Sequence, residues 1–149
     1  MGRKHKHWGN KAAGILTYCK KTNRFLLFLR SDRIYDYPNL WATVGGKVDP
    51  SDTNKYKVAA LREMCEEARF CEDVELRLLY IFRKSKFTYR TYIGLVDEEF
   101  TPELNWENSD AKWITRAELL NHGDLHPGFK EMLKSDSFLK LIDKYCDSA

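Results

Sequence analysis

Three glutamates stand close together in Arg62-Glu63-Met64-Cys65-Glu66-Glu67. On a helix, Glu63 lies three residues from Glu66 and four from Glu67, so all three project from one side. Glu66 and Glu67 also fall in the last turn, at the negative end of the helix dipole. An anion there costs roughly 0.3–1 kcal/mol, and each like-charge neighbour pair adds roughly 0.2–0.5 kcal/mol. A hard divalent cation reverses the sign of these terms, because carboxylate oxygens are the ligands Mg²⁺ prefers. The pattern therefore points to a metal. The competing reading is a solvated helix face with Arg62 paired to Glu66 at four-residue spacing. The upstream pair Gly45-Gly46 weighs against it, since a glycine turn without side chains lets the backbone approach a ligand or metal closely.

These residues resemble the signature of the Nudix hydrolases. Gly46 fits the opening glycine, and Asp52 falls where the signature has its first glutamate. Arg62, Glu63, Met64, Glu66, Glu67 and Phe70 fit the remainder. The chain departs in three ways. Asp52 is shorter than glutamate, the stretch from Thr53 to Leu61 is two residues longer than in the family, and Arg69 occupies the final glycine position. Arg69 puts in doubt a left-handed helix end, which glycine adopts at little steric cost.

The resemblance implies an α/β fold, an α/β/α sandwich with a mixed sheet between helices, over nearly the whole chain. It also implies a Mg²⁺-dependent hydrolase, with Mn²⁺ able to substitute, acting on a diphosphate bond in a nucleoside diphosphate linked to another group. Glu66 and Glu67 are the leading metal ligands, and Glu63 is the third or else the base that activates water. The family often adds the carbonyl at the Gly45 position and an acid shortly before a strand tryptophan. Glu107, six residues before Trp113, fits that place, with Glu98, Glu99 and Glu103 as competitors. Arg62 is expected to orient the glutamates through ion pairs.

Substrate contacts are less marked. Arg30, Arg33 and Lys47 could meet phosphate oxygens. Trp41, Phe87, Tyr89 and Tyr92 could stack on a base, although strand aromatics more commonly fill a core. Lys84, Lys86 and Arg90 surround Phe87 and Tyr89, a mixture that suits a nucleotide or the end of an RNA. His126 opens a helix at His126-Pro127-Gly128 and could face a substrate. Nucleoside triphosphates are the first expected substrates. Dinucleoside polyphosphates, nucleotide sugars and capped or triphosphorylated RNA 5′ ends are alternatives, and a nucleotide-binding module without catalysis is a third class. The proline of the ADP-ribose subgroup has no counterpart among Lys84 to Lys86, whereas Tyr89 approximates the tyrosine of the dinucleoside-polyphosphate subgroup.

At 149 residues with 43% hydrophobic content, the chain is expected to form one domain, residues 1–149. Its net charge of +3 implies no strong polyanion field from the total alone. A basic tail over residues 1–10, with Arg3, Lys4, His5, Lys6 and His7, is either a frayed terminus or a weak phosphate or RNA contact. No apolar run reaches transmembrane length and no signal-peptide pattern is present, so a cytoplasmic protein without a membrane partner is expected. Cys19, Cys65, Cys71 and Cys146 lack paired spacing, which fits reduced thiols.

The elements that must position these groups follow from periodicity and turn chemistry. Strands are predicted over 12–18, 24–30, 40–44, 74–82, 88–96 and 111–114. Helices are predicted over 55–68, with Val58, Leu61, Met64, Cys65 and Ala68 as its apolar positions, over 116–120, and over 129–145. The last has Met132, Leu133, Phe138, Leu141 and Ile142 as its buried stripe.

Overall fold

The computed structural model describes residues 10–146, so the basic tail lies almost wholly outside the described residues. Seven strands and four helices follow in the order β1 (Lys11–Cys19), β2 (Arg24–Arg30), β3 (Trp41–Ala42), β4 (Val44–Lys47), α1 (Tyr56–Ala68), β5 (Glu75–Lys84), β6 (Phe87–Val96), β7 (Asn108–Thr115), α2 (Arg116–Leu120), α3 (Pro127–Leu133) and α4 (Asp136–Tyr145). A single 3₁₀ turn, Pro50–Asp52, precedes α1. Among the described residues, no helix is long and apolar enough to cross a membrane.

The sheet is mixed, and it is split. β1 and β2 begin as a hairpin, with Thr17–Cys19 opposite Leu26–Arg24. They then part. β4 takes the freed edge of β1, pairing Ala12–Ile15 with Lys47–Val44. β3 takes the freed edge of β2, pairing Phe28 with Ala42 and Leu29 with Trp41. β6 runs parallel to β1 along its whole length, β5 pairs with β6, and β7 pairs with the far side of β2. Alternation of side chains sorts the core into two layers. Ala13, Ile15, Leu26 and Phe28 face α1, whereas Leu16, Tyr18, Phe25 and Leu27 face α3 and α4.

Helix α1 buries part of the predicted apolar stripe, Met64 and Ala68 with Leu61 packed beside them, but not all of it. Val58 is 42% exposed. The buried positions are Ala59, Ala60, Glu63, Met64, Glu67 and Ala68. Two of the catalytic candidates thus belong to the inward stripe, which a count of apolar residues alone leaves out. Alanines at 59 and 60 let the helix lie close on β1 and β4. The predicted long terminal helix is two helices. Ser135 interrupts it, its hydroxyl accepting from the Phe138 N–H as the cap of α4. The predicted strand 40–44 is likewise two short strands flanking Thr43.

The three departures around α1 each have a physical resolution. Asp52 closes the longer connection. Its buried carboxylate accepts from Arg62 Nε at 2.8 Å and Nη2 at 3.0 Å, and from the Asp49 N–H at 3.0 Å. Arg69 adopts the left-handed conformation, φ 57° and ψ 22°, and its N–H returns to the Cys65 carbonyl, so the helix end is kept without glycine. The expectation of reduced thiols is corrected at one pair: Cys65 and Cys71 form a disulfide across this helix end, because the left-handed turn at Arg69 folds the chain back onto the last turn. Cys19 and Cys146 are buried and belong to no disulfide.

Arg69→Gly should relieve a left-handed cost of roughly 1–2 kcal/mol against a glycine entropy cost of roughly 0.5–1 kcal/mol. A net gain of about 0.5–1 kcal/mol is therefore expected in denaturant unfolding; a lower midpoint would show that the arginine side chain contributes a contact of its own. Asp52→Asn should cost about 3 kcal/mol by leaving the Arg62 fork without its buried partner. The guanidinium holds the Asp52 carboxyl below the usual carboxylate range. Its contribution is thus complete above the unfolded value near about pH 4 and is lost as the pH falls further. A series of denaturant midpoints from neutral to acid pH should accordingly have a flatter acid limb for Asp52→Asn than for the wild type.

Candidate active site

The split between β1 and β2 opens into a cleft of about 1530 Å³. Arg30 closes β2 at its rim, Gly45 and Lys47 line it from β4, and Glu67 enters from α1 on the other face of the sheet. Phe87 and Tyr89 form part of one wall, and Glu107 part of the opposite one.

The glycine pair, which reads as a turn in the sequence, lies instead within β4, and among the described residues no glycine has a positive φ. What it supplies is space. A Cβ on Gly45 would stand 2.2 Å from the Tyr89 hydroxyl oxygen, and a Cβ on Gly46 would stand 2.2 Å from Glu63 Oε1. Successive strand residues face opposite sides, so Gly45 admits Tyr89 from the cleft while Gly46 admits Glu63 from α1. Gly14, across the ladder from Gly45, leaves room for the same hydroxyl, which a Cβ there would approach to 2.4 Å.

Glu67 is fixed at both oxygens. The Gly45 N–H donates to Oε2 at 3.0 Å, and Asn108 Nδ2 donates to Oε1 at 3.2 Å. Asn108, buried at the start of β7, is a positioning residue that carries no sequence signal, since a lone asparagine before a strand resembles any turn residue. Arg62 organises the other two glutamates. Its Nη1 donates to Glu63 Oε1 and to both Glu66 oxygens at 3.2 Å, and its Nη2 donates to the Lys47 carbonyl at 3.0 Å. Arg62 is thus in hydrogen-bond contact with both the buried Glu63 and the solvent-facing Glu66. Glu63 and Glu67 are 4% and 5% exposed, whereas Glu66 is solvent-facing.

The donor set suits a hard divalent cation, because its carboxylates and backbone carbonyls offer only oxygen. Two of these carboxylates are withdrawn from water on successive turns of one helix, where added positive charge is favourable. As the side chains stand, however, no three Asp, Glu, His or Cys groups converge on one point among the described residues. The Arg62 guanidinium occupies part of the space between Glu63 and Glu66.

The remaining candidates divide cleanly. Glu107 lines the cleft, whereas Glu98 and Glu99 pair with Lys21 and Arg24, and Glu103 anchors the end of α1 through its N–H to the Ala68 carbonyl. Arg30, Arg33, Lys47 and Lys84 reach the cleft. Trp41 does not; it packs on the α3–α4 core with Lys112 4.1 Å over its ring. Tyr92 lies in the α1-side core, and Arg90 lies 4.2 Å over Tyr56 on that face. His126 caps α3, its Nδ1 accepting from the Gly128 N–H at 3.0 Å, and its ring lines the cleft. Burial and then the nearby Arg30 charge pull its pKa down to about 4, so it is a neutral imidazole at physiological pH. Burial, and then Glu67, push the Tyr89 hydroxyl above its ordinary value, so it remains a neutral donor.

A family model described as the NUDIX domain matches residues 9–135. A dihydroneopterin triphosphate diphosphatase of Haemophilus influenzae is 27% identical over 91% of this chain and 87% of its own. A Nudix hydrolase of M. smegmatis, RenU, superposes with TM-score 0.71 at 25% identity, covering 90% of this chain and 84% of that one. The C. elegans Ap4A hydrolase superposes with TM-score 0.67 at 22% identity, covering 90% and 99%. With glutamates of α1 meeting a glycine strand at the mouth of a split mixed sheet, the chain belongs to the Nudix family and is a hydrolase of diphosphate linkages.

Proposed function

We propose that the enzyme cleaves a diphosphate bond in a nucleoside diphosphate linked to a group X and uses Mg²⁺ with Mn²⁺ as a substitute. Nucleoside triphosphates are the simplest such substrates. The observation that carries this reading is the convergence of Glu63 and Glu67 on the Gly45-Gly46 strand, beside a cleft that also holds Arg30 and Lys47.

Glu63, Glu66 and Glu67 would hold the divalent cation, with Glu107 and the Gly45 carbonyl as further oxygen donors. When bound, that cation supplies Lewis acidity that polarises phosphate oxygens and lowers the pKa of an attacking water. The chain's own groups do the rest. Asn108 and the Gly45 N–H hold the Glu67 carboxylate in one orientation, and Arg62 holds Glu63 and Glu66. Arg30 and Lys47 offer charged donors to the polyphosphate. Glu107 takes a proton from water entering the cleft it lines, and Phe87 and Tyr89 supply a flat wall for a base.

A turnover screen that separates and identifies the nucleotide products should use nucleoside triphosphates, dinucleoside polyphosphates, nucleotide sugars and triphosphorylated RNA. Glu66→Gln and Glu67→Gln are each expected to lower kcat by at least about 100-fold. In Glu67→Gln the side-chain amide oxygen can still accept from the Gly45 N–H, and a turned Asn108 amide can accept from the new NH2 through its Oδ1, so the fold should be preserved. Full activity in both variants would remove the metal assignment. Asn108→Ala should lose about 10-fold, the scale of a group that orients a ligand rather than being one. A chelator should abolish turnover and excess Mg²⁺ restore it; turnover that persists in chelator would exclude the divalent-metal reading.

A further inference from the structure

Three aromatic side chains stand half-exposed around the cleft: Tyr35 at 50%, Tyr37 at 52% and Trp106 at 57%. They are half of the six exposed large hydrophobics among the described residues, and all three line this one cavity. Single exposed apolar residues need no explanation, but a convergent group at a cavity marks a binding surface. The other three, Val58, Leu104 and Leu120, are aliphatic and do not line it.

The loops that carry these aromatics are held in place. Arg30 Nε donates to the Tyr37 carbonyl at 3.1 Å, and its Nη2 donates to the Asp36 carbonyl at 2.5 Å. The Arg30 N–H reaches the Leu40 carbonyl, so the loop's two ends meet. The Ser31 N–H donates to the Glu107 carbonyl at 2.9 Å, which stitches this loop to the residue beside Trp106. Tyr37 sits at φ 52°, a left-handed conformation that bulky residues rarely adopt. Local strain of this kind persists where the surroundings impose it, and it clusters at ligand sites. The His126 ring supports Tyr37 edge-on at 4.8 Å.

A second aromatic group faces the same cleft from the other side of the split. Phe82, Phe87 and Tyr89, on β5 and β6, form a ladder with ring centroids 6.4 and 6.5 Å apart. Arg30 and Lys47, on β2 and β4, lie on the strands between the two groups. The cleft therefore offers flat apolar surface at two places and cationic donors between them.

We propose that Tyr35, Tyr37 and Trp106 form an outer stacking subsite for a second heteroaromatic ring, so that the preferred substrate is a polyphosphate bearing a ring at each end, a dinucleoside polyphosphate. The inference rests on the hydrolase reading and narrows its group X. Aromatic side chains stack on any base, because every base has a π-face. The outer subsite therefore selects for a second ring without selecting which one.

The test compares diadenosine tetraphosphate with ATP on the full-length protein. In the wild type, kcat/KM should favour the dinucleotide. Trp106→Ala should lower that preference by about 10- to 100-fold, chiefly through KM for the dinucleotide, and Trp106→Phe should restore most of it. Leu120→Ala, exposed outside the cleft, should leave the preference unchanged. An equal loss on both substrates, or none, overturns the subsite. Preference for a triphosphorylated oligonucleotide over the dinucleotide would assign the mouth to a nucleic-acid strand and also overturn it. Tryptophan fluorescence separates this inference from the hydrolase reading. Diadenosine tetraphosphate should quench emission more than ATP at equal concentration, and Trp106→Phe should abolish the difference. Quenching without turnover would defeat the hydrolase reading alone, whereas turnover without differential quenching would defeat the subsite alone.

Discussion

The Arg62 guanidinium is the contact on which the rest of the site depends. Its fork meets the buried Asp52 carboxylate at one side and Glu63 and Glu66 at the other, with the Lys47 carbonyl between. One side chain thereby ties the connection before α1, the helix itself and the glycine strand into a rigid unit. Burying Asp52 and Glu63 without this cation would leave carboxylates withdrawn from water and poorly compensated, which is the costly half of a broken buried pair. Lysine could not substitute, since a single ammonium lacks the planar spread of donors that reaches three carboxylates at once.

Around this fork the fold is a problem of space. α1 must lie close enough to β4 for Glu63 and Glu67 to reach the sheet, and Tyr89 must approach the same strand from the other face. Alanine at positions 59 and 60 permits the first approach, and Gly14, Gly45 and Gly46 permit both. The splaying of β1 from β2 then leaves a gap through which groups from the two faces meet. The cleft is a consequence of that gap, and its chemistry is a consequence of which side chains the glycines let through.

Much of this is legible in the sequence, and the failures have identifiable causes. The glutamate spacing and the resemblance locate α1, and the apolar runs locate β2 and β6. The glycine pair stands out, but its purpose differs from the one its composition suggests: in a strand, glycine can be required for a missing Cβ as readily as for an unusual φ. An apolar count finds Met64 and Ala68 on the buried face of α1 but passes over Glu63 and Glu67, which occupy buried positions beside them. Trp41 and Tyr92 have the right chemistry for a base, but alternation along their strands turns them into the core. Asn108, Tyr35, Tyr37 and Trp106 carry no sequence signal, because their roles arise from loops brought together by β2 and β7, a juxtaposition that no local pattern encodes.

The parallel pairing of β1 with β6 has a consequence for the order in which the molecule is made. β1 occupies Lys11–Cys19, and its partner is Phe87–Val96. As the chain is synthesised, the glycine strand and the whole carboxylate helix emerge before the strand that completes the floor beneath them. Long-range parallel contacts of this kind form slowly because the intervening chain must close first. The acidic helix therefore waits, its buried glutamates still in water, until the far half of the chain arrives, and Asn108, which fixes Glu67, comes later still. The active site is among the last features of the protein to exist. A chain cut short before Val96 would carry most of its catalytic carboxylates and have no complete sheet on which to seat them.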